Sequence, residues 1–228
     1  MRLFFSILIM INVSNLFAQK IELFGGANRN IFHDYYETTP HYSSKYNSDY
    51  GFSAGFGLDS IKIDWLVLRF TLQFDKYKGK FEVSESGLGG GYTTFAKVDK
   101  SVLSLGIFPI NFRFLDRIDL NLGLQISRLV NESFSGTSSG WTMNQPNWSY
   151  NIQDKYNKYS STTYFGFQGR ISYDFKISKS IWISPQYLYY FGLSNEFVEF
   201  PKNTKSMRHY FCIGIKNKLF ENAHKKGS

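Results

Sequence analysis

Hydrophobic and polar residues alternate along most of this chain with a period of two. The clearest stretch is Ile118-Asp119-Leu120-Asn121-Leu122-Gly123-Leu124-Gln125-Ile126-Ser127, where every even position is aliphatic and every odd one is polar or glycine. That period sets successive side chains on opposite faces of a β-strand. Eight such segments are predicted: 20–28, 50–58, 66–75, about 98–114, 118–127, 163–175, 181–191 and 207–216. In the third, Leu66, Leu68, Phe70, Leu72 and Phe74 share the apolar face, while Arg69, Thr71, Gln73 and Asp75 share the other. The fourth changes phase near Pro109: Leu103, Leu105 and Ile107 occupy one face, then Ile110, Phe112 and Phe114 do. Proline cannot donate to a ladder, so a bulge is expected there.

The links between segments are unequal. Asp59-Ser60, Leu115-Asp116-Arg117 and 176–180 predict tight turns, whereas 29–49, the Gly-rich stretch around 84–91, 131–159 and 195–205 predict long links. Eight strands that are all oily on one side cannot be satisfied as an open sheet in water. Closed into a ring within lipid they pair every backbone group and leave no edge. An even strand count with short turns at one end and long links at the other adds to this. The predicted fold is all-β, an eight-stranded antiparallel up-and-down transmembrane β-barrel, with short turns and both termini periplasmic and the long loops extracellular. A secreted lipocalin-like barrel has the same strand count but carries its oily face inside. Here the small, polar face suits the narrow lumen and the Leu/Phe face suits lipid.

Composition agrees once this period is known. The chain has 228 residues, net charge +8, 43% hydrophobic and 19% aromatic residues, and a mean hydropathy of −0.28. A membrane barrel hides its apolar signal at every second position, so the average misses it. Arg2, the apolar run Leu3 to Val13 and Leu16-Phe17-Ala18-Gln19 have the parts of an export signal. The expected organisation is a signal peptide over 1–18, a barrel over 19–220 and a short basic tail over 221–228, with the chain in a bacterial outer membrane. Cys212 is the only cysteine, so no internal disulfide can form, and strand phase points it into the lumen as a small filler. Lys and Arg are scattered without a basic helix or patch motif, which argues against nucleic acid. Aromatic residues near strand ends, among them Tyr50, Trp65, Phe114, Tyr173 and Trp182, suit headgroup-level girdles.

With its export signal, eight strands, loop asymmetry and aromatic-rich strand ends, the chain resembles the small outer-membrane β-barrel family that includes the PorT-like and OmpA-like barrels. The resemblance is one of architecture and covers nearly the whole mature chain. Leu219-Phe220 could serve as the terminal aromatic signal of such barrels, but residues 221–228 follow it.

An eight-stranded lumen is just wide enough for side chains to fill. Arg69, Gln73, Gln125, Gln168, Arg170 and Arg208 are expected to plug it, with Glu22, Asp59, Asp174 and Lys216 toward the short-turn end. Counted up from the turns, Arg69 and Arg170 reach mid-depth with no acid at their level. A narrow anion site or gated conductance is the sharper alternative. In the first long link, His41-Tyr42-Ser43 has a His-x-Ser spacing that resembles part of the motif of outer-membrane lipid A deacylases, with Glu37 or Asp34 available to orient the base. The rest of that motif is absent, and no catalytic residue is assigned. His33, Asp34 and His41 lack specific metal-ligand spacing, so no metal and no cofactor are expected.

The long links carry the functional lead. Phe32, Tyr35, Tyr36, Tyr42 and Tyr46 crowd the first, and Trp141, Trp148, Tyr150, Tyr156 and Tyr159 the third. Such rings serve as interface or sugar-binding platforms, or as a miniature core for the loops. Tyr35, Tyr36, Trp141, Trp148, Tyr150 and Tyr156 are the binding candidates. The reading is a non-enzymatic barrel, either an accessory subunit of an outer-membrane assembly or a surface binding protein. A small passive channel and a lipid A-modifying enzyme are the alternatives. Its expected partners are outer-membrane lipid, lipopolysaccharide and another outer-membrane or surface protein.

Overall fold

A computed structural model describes residues 20–33, 38–63, 66–154, 160–198 and 204–218. The expected signal segment and basic tail, together with Tyr35, Tyr36, Tyr156, Tyr159 and Asp34, lie outside these residues. The strands are β1 (Lys20–His33), β2 (Thr38–Thr39), β3 (Tyr42–Ser48), β4 (Tyr50–Ile63), β5 (Leu66–Gly87), β6 (Gly90–Phe114), β7 (Ile118–Thr142), β8 (Gln145–Asp154), β9 (Thr163–Tyr173), β10 (Phe175–Lys176), β11 (Ile181–Gly192) and β12 (Lys205–Lys218).

Eight of them close a ring. β1 pairs with β4, β4 with β5, β5 with β6, β6 with β7, β7 with β9, β9 with β11, β11 with β12, and β12 returns to β1, every pair antiparallel. The ring is staggered. Followed from stave to stave, the ladder leaves Ile21 and passes Leu58, Phe70, Ile107, Leu124, Phe167, Phe191 and Met207. It re-enters β1 at Ile31, ten residues further along. A closed sheet with such shear must tilt its strands by roughly 35–45° to the barrel axis. Outside the ring, Leu23, Phe56, Leu72, Leu103, Leu124, Phe167, Ile183 and Ile213 are exposed, while polar side chains fill the interior. An apolar wall around a polar core is the inverse of a water-soluble barrel and matches a lipid-spanning one.

The turns are partly as expected. Leu115 and Asp116 both have positive φ (49° and 54°), and the Arg117 amide donates to the Phe114 carbonyl at 3.1 Å. The two positive φ values make this a primed β-turn, whose twist matches the strands, within a three-residue link between the paired Phe114 and Ile118. The register slips between Ile107 and Ile110 around Pro109, as its missing donor requires. Asp59-Ser60 is not a turn. β4 continues to Ile63, and its register shifts between Leu58 and Ile61, so these two residues form a bulge that turns Asp59 inward.

The long links also differ from expectation, because Ser, Thr and Gly alternation is strand-like without being oily. β5 and β6 continue to a tight turn at Leu88-Gly89, and β7 runs to Thr142 before β8 folds back on it. β3 pairs with the far end of β5. These extensions form an open sheet, ordered β3–β5–β6–β7–β8, that stands beyond the ring at the end away from the Leu115-Asp116 turn. The fourth link folds inward, with Glu196 and Phe197 buried.

Leu122 faces outward at mid-wall on β7. Replacing it with Arg should lower stability by about 2–4 kcal/mol if it sits at the bilayer midplane. Reversible denaturant unfolding in lipid vesicles measures this, and wild-type stability for the variant would contradict the lipid-facing assignment.

Candidate functional site

Two layers of charge and a cap of aromatic rings fill the barrel. The lower layer centres on Glu22. Its carboxylate accepts from Arg170 Nη2 at 3.0 and 3.2 Å and from Arg69 Nη2, while Arg69 Nη1 donates to Asp59. Arg170 Nη1 also donates to Asn121 Oδ1 at 2.7 Å, and its Nε donates to Gln186. Beside this group, Lys216 Nζ donates to Asp174 at 2.7 Å and to Asp119 at 2.9 Å. Gly214 makes the space: a Cβ there would come within 2.2 Å of Glu22 Oε1. Arg69 and Arg170 therefore do have an acid at their depth, contrary to the count from the turns. The ten-residue stagger, shared around eight staves, brings Glu22, the third residue of β1, level with Arg69, the fourth of β5, and with Arg170, three residues short of the end of β9. The bulge then adds Asp59 to the same layer.

The upper layer is built on Arg208 and Lys100. The Arg208 guanidinium lies 4.8 Å from the ring centres of both Tyr77 and Tyr190, and Nη1 is 3.8 Å from Asp75. Tyr210 donates to Asp75 at 3.1 Å, and Gln73 does so at 2.6 Å. Lys100 sits 3.0 Å from Glu196, 3.3 Å from Glu132 and 4.1 Å from the Phe197 ring centre. Tyr77 donates to Glu196 at 2.6 Å. Sequence reasoning missed Glu196 and Glu132, which read as link residues, and Lys100, although it lies on the inward phase of the predicted fourth segment. Between the layers, Gln125 donates to Ser127 at 2.8 Å, and Gln168 is buried with no side-chain hydrogen-bond partner among the described residues. All six predicted lumen residues are buried inside the ring.

Above the charges, Phe32, Tyr46, Phe81 and Phe197 pack ring to ring with centres 4.2–5.8 Å apart. The backbone amide of Glu196 donates to the Thr204 carbonyl at 2.7 Å, which fixes this inward segment. Phe32 and Tyr46 are thus core for the barrel mouth, not interface. Burial alone would raise the pKa of Glu196, but the nearby Lys100 and Arg208 outweigh it and hold the carboxyl below its usual value.

Of the predicted binding residues, the three that are described, Trp141, Trp148 and Tyr150, lie on the open sheet and divide between its faces. Trp148 and Tyr150 stack with an interplanar angle of 14° and centres 5.4 Å apart on the face that continues the lumen. Trp141, in register with Gly91, occupies the opposite face. Ser43 has the Ser84 hydroxyl at 3.4 Å as its side-chain partner, and no His or carboxylate contacts it among the described residues. No group of three metal-ligating residues occurs among the described residues.

A closed transmembrane β-barrel with a side-chain-filled lumen and a projecting sheet is the class these features define. The chain is similar to solved structures of small outer-membrane barrels. Ail, the attachment invasion locus protein of Yersinia pestis, is 13% identical with a TM-score of 0.40, covering 87% of this chain and 98% of that one. OprG from Pseudomonas aeruginosa is 12% identical with a TM-score of 0.39, covering 91% and 100%. Neisserial surface protein A is 14% identical with a TM-score of 0.37, covering 86% and 97%. No family model and no curated protein matches the chain.

Two outcomes test this interior. Glu22→Gln should cost about 3–5 kcal/mol, because it leaves buried guanidinium charge without its partner, and adding Arg170→Met should recover part of the loss. Unfolding in vesicles reads both. Planar-bilayer recording of the wild type should show no steady porin-sized current near neutral pH. Because the Glu196 pKa is lower folded than unfolded, its stabilising effect holds above the ordinary carboxylate range and is lost as pH falls through the folded value. Leak events should therefore rise on strong acidification, and also in Glu196→Ala at neutral pH.

Proposed function

We propose that this protein is a non-enzymatic outer-membrane barrel that anchors a binding sheet at the cell surface. The observation that carries this reading is the sheet β3–β5–β6–β7–β8, which stands beyond the apolar wall with Trp141 and Tyr150 uncovered. Uncovered Trp and Tyr supply large contact area at low entropic cost and dominate many interfaces. The filled lumen argues against transport as the main task, and the polar contacts of Ser43 argue against a serine nucleophile. On this reading residues 1–18 serve as an export signal, the short turns face the periplasm and the sheet lies outside. In this setting the protein serves as an accessory subunit of a larger assembly or as a surface receptor. Lipopolysaccharide surrounds the wall, and a protein or surface ligand meets the sheet.

The test is to shorten the β7–β8 hairpin. Replacing Gly136–Ile152 with an Asn-Gly turn joins Ser135 to Gln153, which are already paired. The barrel should still assemble and show its heat-dependent gel shift, since loops tolerate deletion when strands hold the fold. Partners recovered by mass spectrometry from gently solubilised membranes should be lost. Full retention of every partner would show that this sheet is not the interface.

A further inference from the structure

The sheet is one layer thick at its tip, so both faces meet solvent, and the face bearing Trp141 has a distinct chemistry. The indole of Trp141 lies across Gly91, where a Cβ would stand 3.3 Å from Nε1. Glycine at that place lets the ring lie down on the sheet. One register step away runs a row of small hydroxyls, with Thr93 paired to Ser139 and Ser139 paired to Ser149. Asn147 completes a shallow open depression around the indole. The side chains of Thr93, Ser139, Ser149 and Asn147 make no hydrogen bond among the described residues, so their donors and acceptors are available. No lysine, arginine or large aliphatic side chain lines the depression. The nearest carboxylate, Glu85, belongs to the other face, where Tyr92 hydrogen-bonds it and is pushed above its usual pKa by partial burial and that bond.

We propose that this depression binds a neutral carbohydrate, with one pyranose ring stacked on Trp141 and its edge hydroxyls held by Thr93, Ser139, Ser149 and Asn147. A sugar ring has an apolar C–H face and a rim of groups that both donate and accept. The site offers the matching pair, an amphipathic ring to cover and hydroxyl and amide groups that donate and accept in turn. An anionic ligand would lack a cation to meet it, and an acyl chain would lack an apolar trough. The inference rests on the binding-sheet reading and names its ligand class.

Saturation-transfer NMR on the folded protein in nanodiscs tests it with lactose, maltotriose and triacetylchitotriose, and with a heparin tetrasaccharide as the charged comparison. At least one neutral saccharide should bind saturably, with a preference over the heparin fragment. Trp141→Ala should weaken that binding about tenfold or more, a loss of ~1.4 kcal/mol, and the pair Thr93→Val with Ser139→Ala should weaken it several-fold. All variants should keep the heat-dependent gel shift. Binding by none of the neutral saccharides, preference for the heparin fragment, or wild-type affinity in Trp141→Ala would each overturn the proposal. If saccharides fail while the hairpin deletion still abolishes partner recovery, the carbohydrate assignment falls and the binding-sheet reading stands.

Discussion

Closure of the ring with a ten-residue stagger decides both how the backbone is satisfied and which side chains meet inside it. In hydrocarbon an unpaired backbone amide costs several kcal/mol, so the sheet must meet itself. It can do so at different shears, and the shear decides which inward residues share a depth. Here the return to β1 ten residues along puts Glu22 among Arg69, Arg170 and Asp59. A slip of two residues on β1 would carry Glu22 away from both guanidinium groups and leave buried charge unpaired. The ion cluster therefore selects the register more than it adds net stability, because desolvation cancels much of the attraction between buried charges.

The interior also shows how a narrow barrel copes with a polar filling. Large side chains are accommodated by removing their neighbours, as where Gly214 faces Glu22. Cations whose geometry does not reach a carboxylate fully are met by aromatic faces instead, as Arg208 is by Tyr77 and Tyr190. The mouth is closed from above by a link that turns inward. Glu196 supplies charge to Lys100, and Phe197 supplies a ring to the cap. Wall, filling and cap together pack the barrel, and the sheet projects beyond them.

Much of this was legible in the residues themselves. Alternation marked all eight staves and the face of nearly every residue on them, since period two is a local property of the backbone. Pro109 disclosed its bulge because a missing donor acts locally too. The lumen residues from Arg69 to Arg208 were found by phase alone, as was the buried place of Cys212.

Depth, in contrast, could not be read along one strand. Glu22 meets Arg170 across 148 residues of chain, through a stagger that exists only once eight strands have closed. The same holds for Glu196, which reads as a polar link residue and becomes buried only because the mouth offers it Lys100 and Tyr77. The tips of the sheet, 84–91 and 135–142, escaped notice because Ser, Thr and Gly alternate there without an oily face, and a strand wetted on both sides leaves no hydrophobic period. For the same reason Trp141 and Trp148 looked like one cluster in sequence. Pairing with Gly91 and Gly140 sets them on opposite faces. Local alternation was enough to mark the staves, their inward and outward faces and the kind of side chain in each. Tertiary structure alone decided which of them meet, because pairing across a closed ring is a property of the whole sheet.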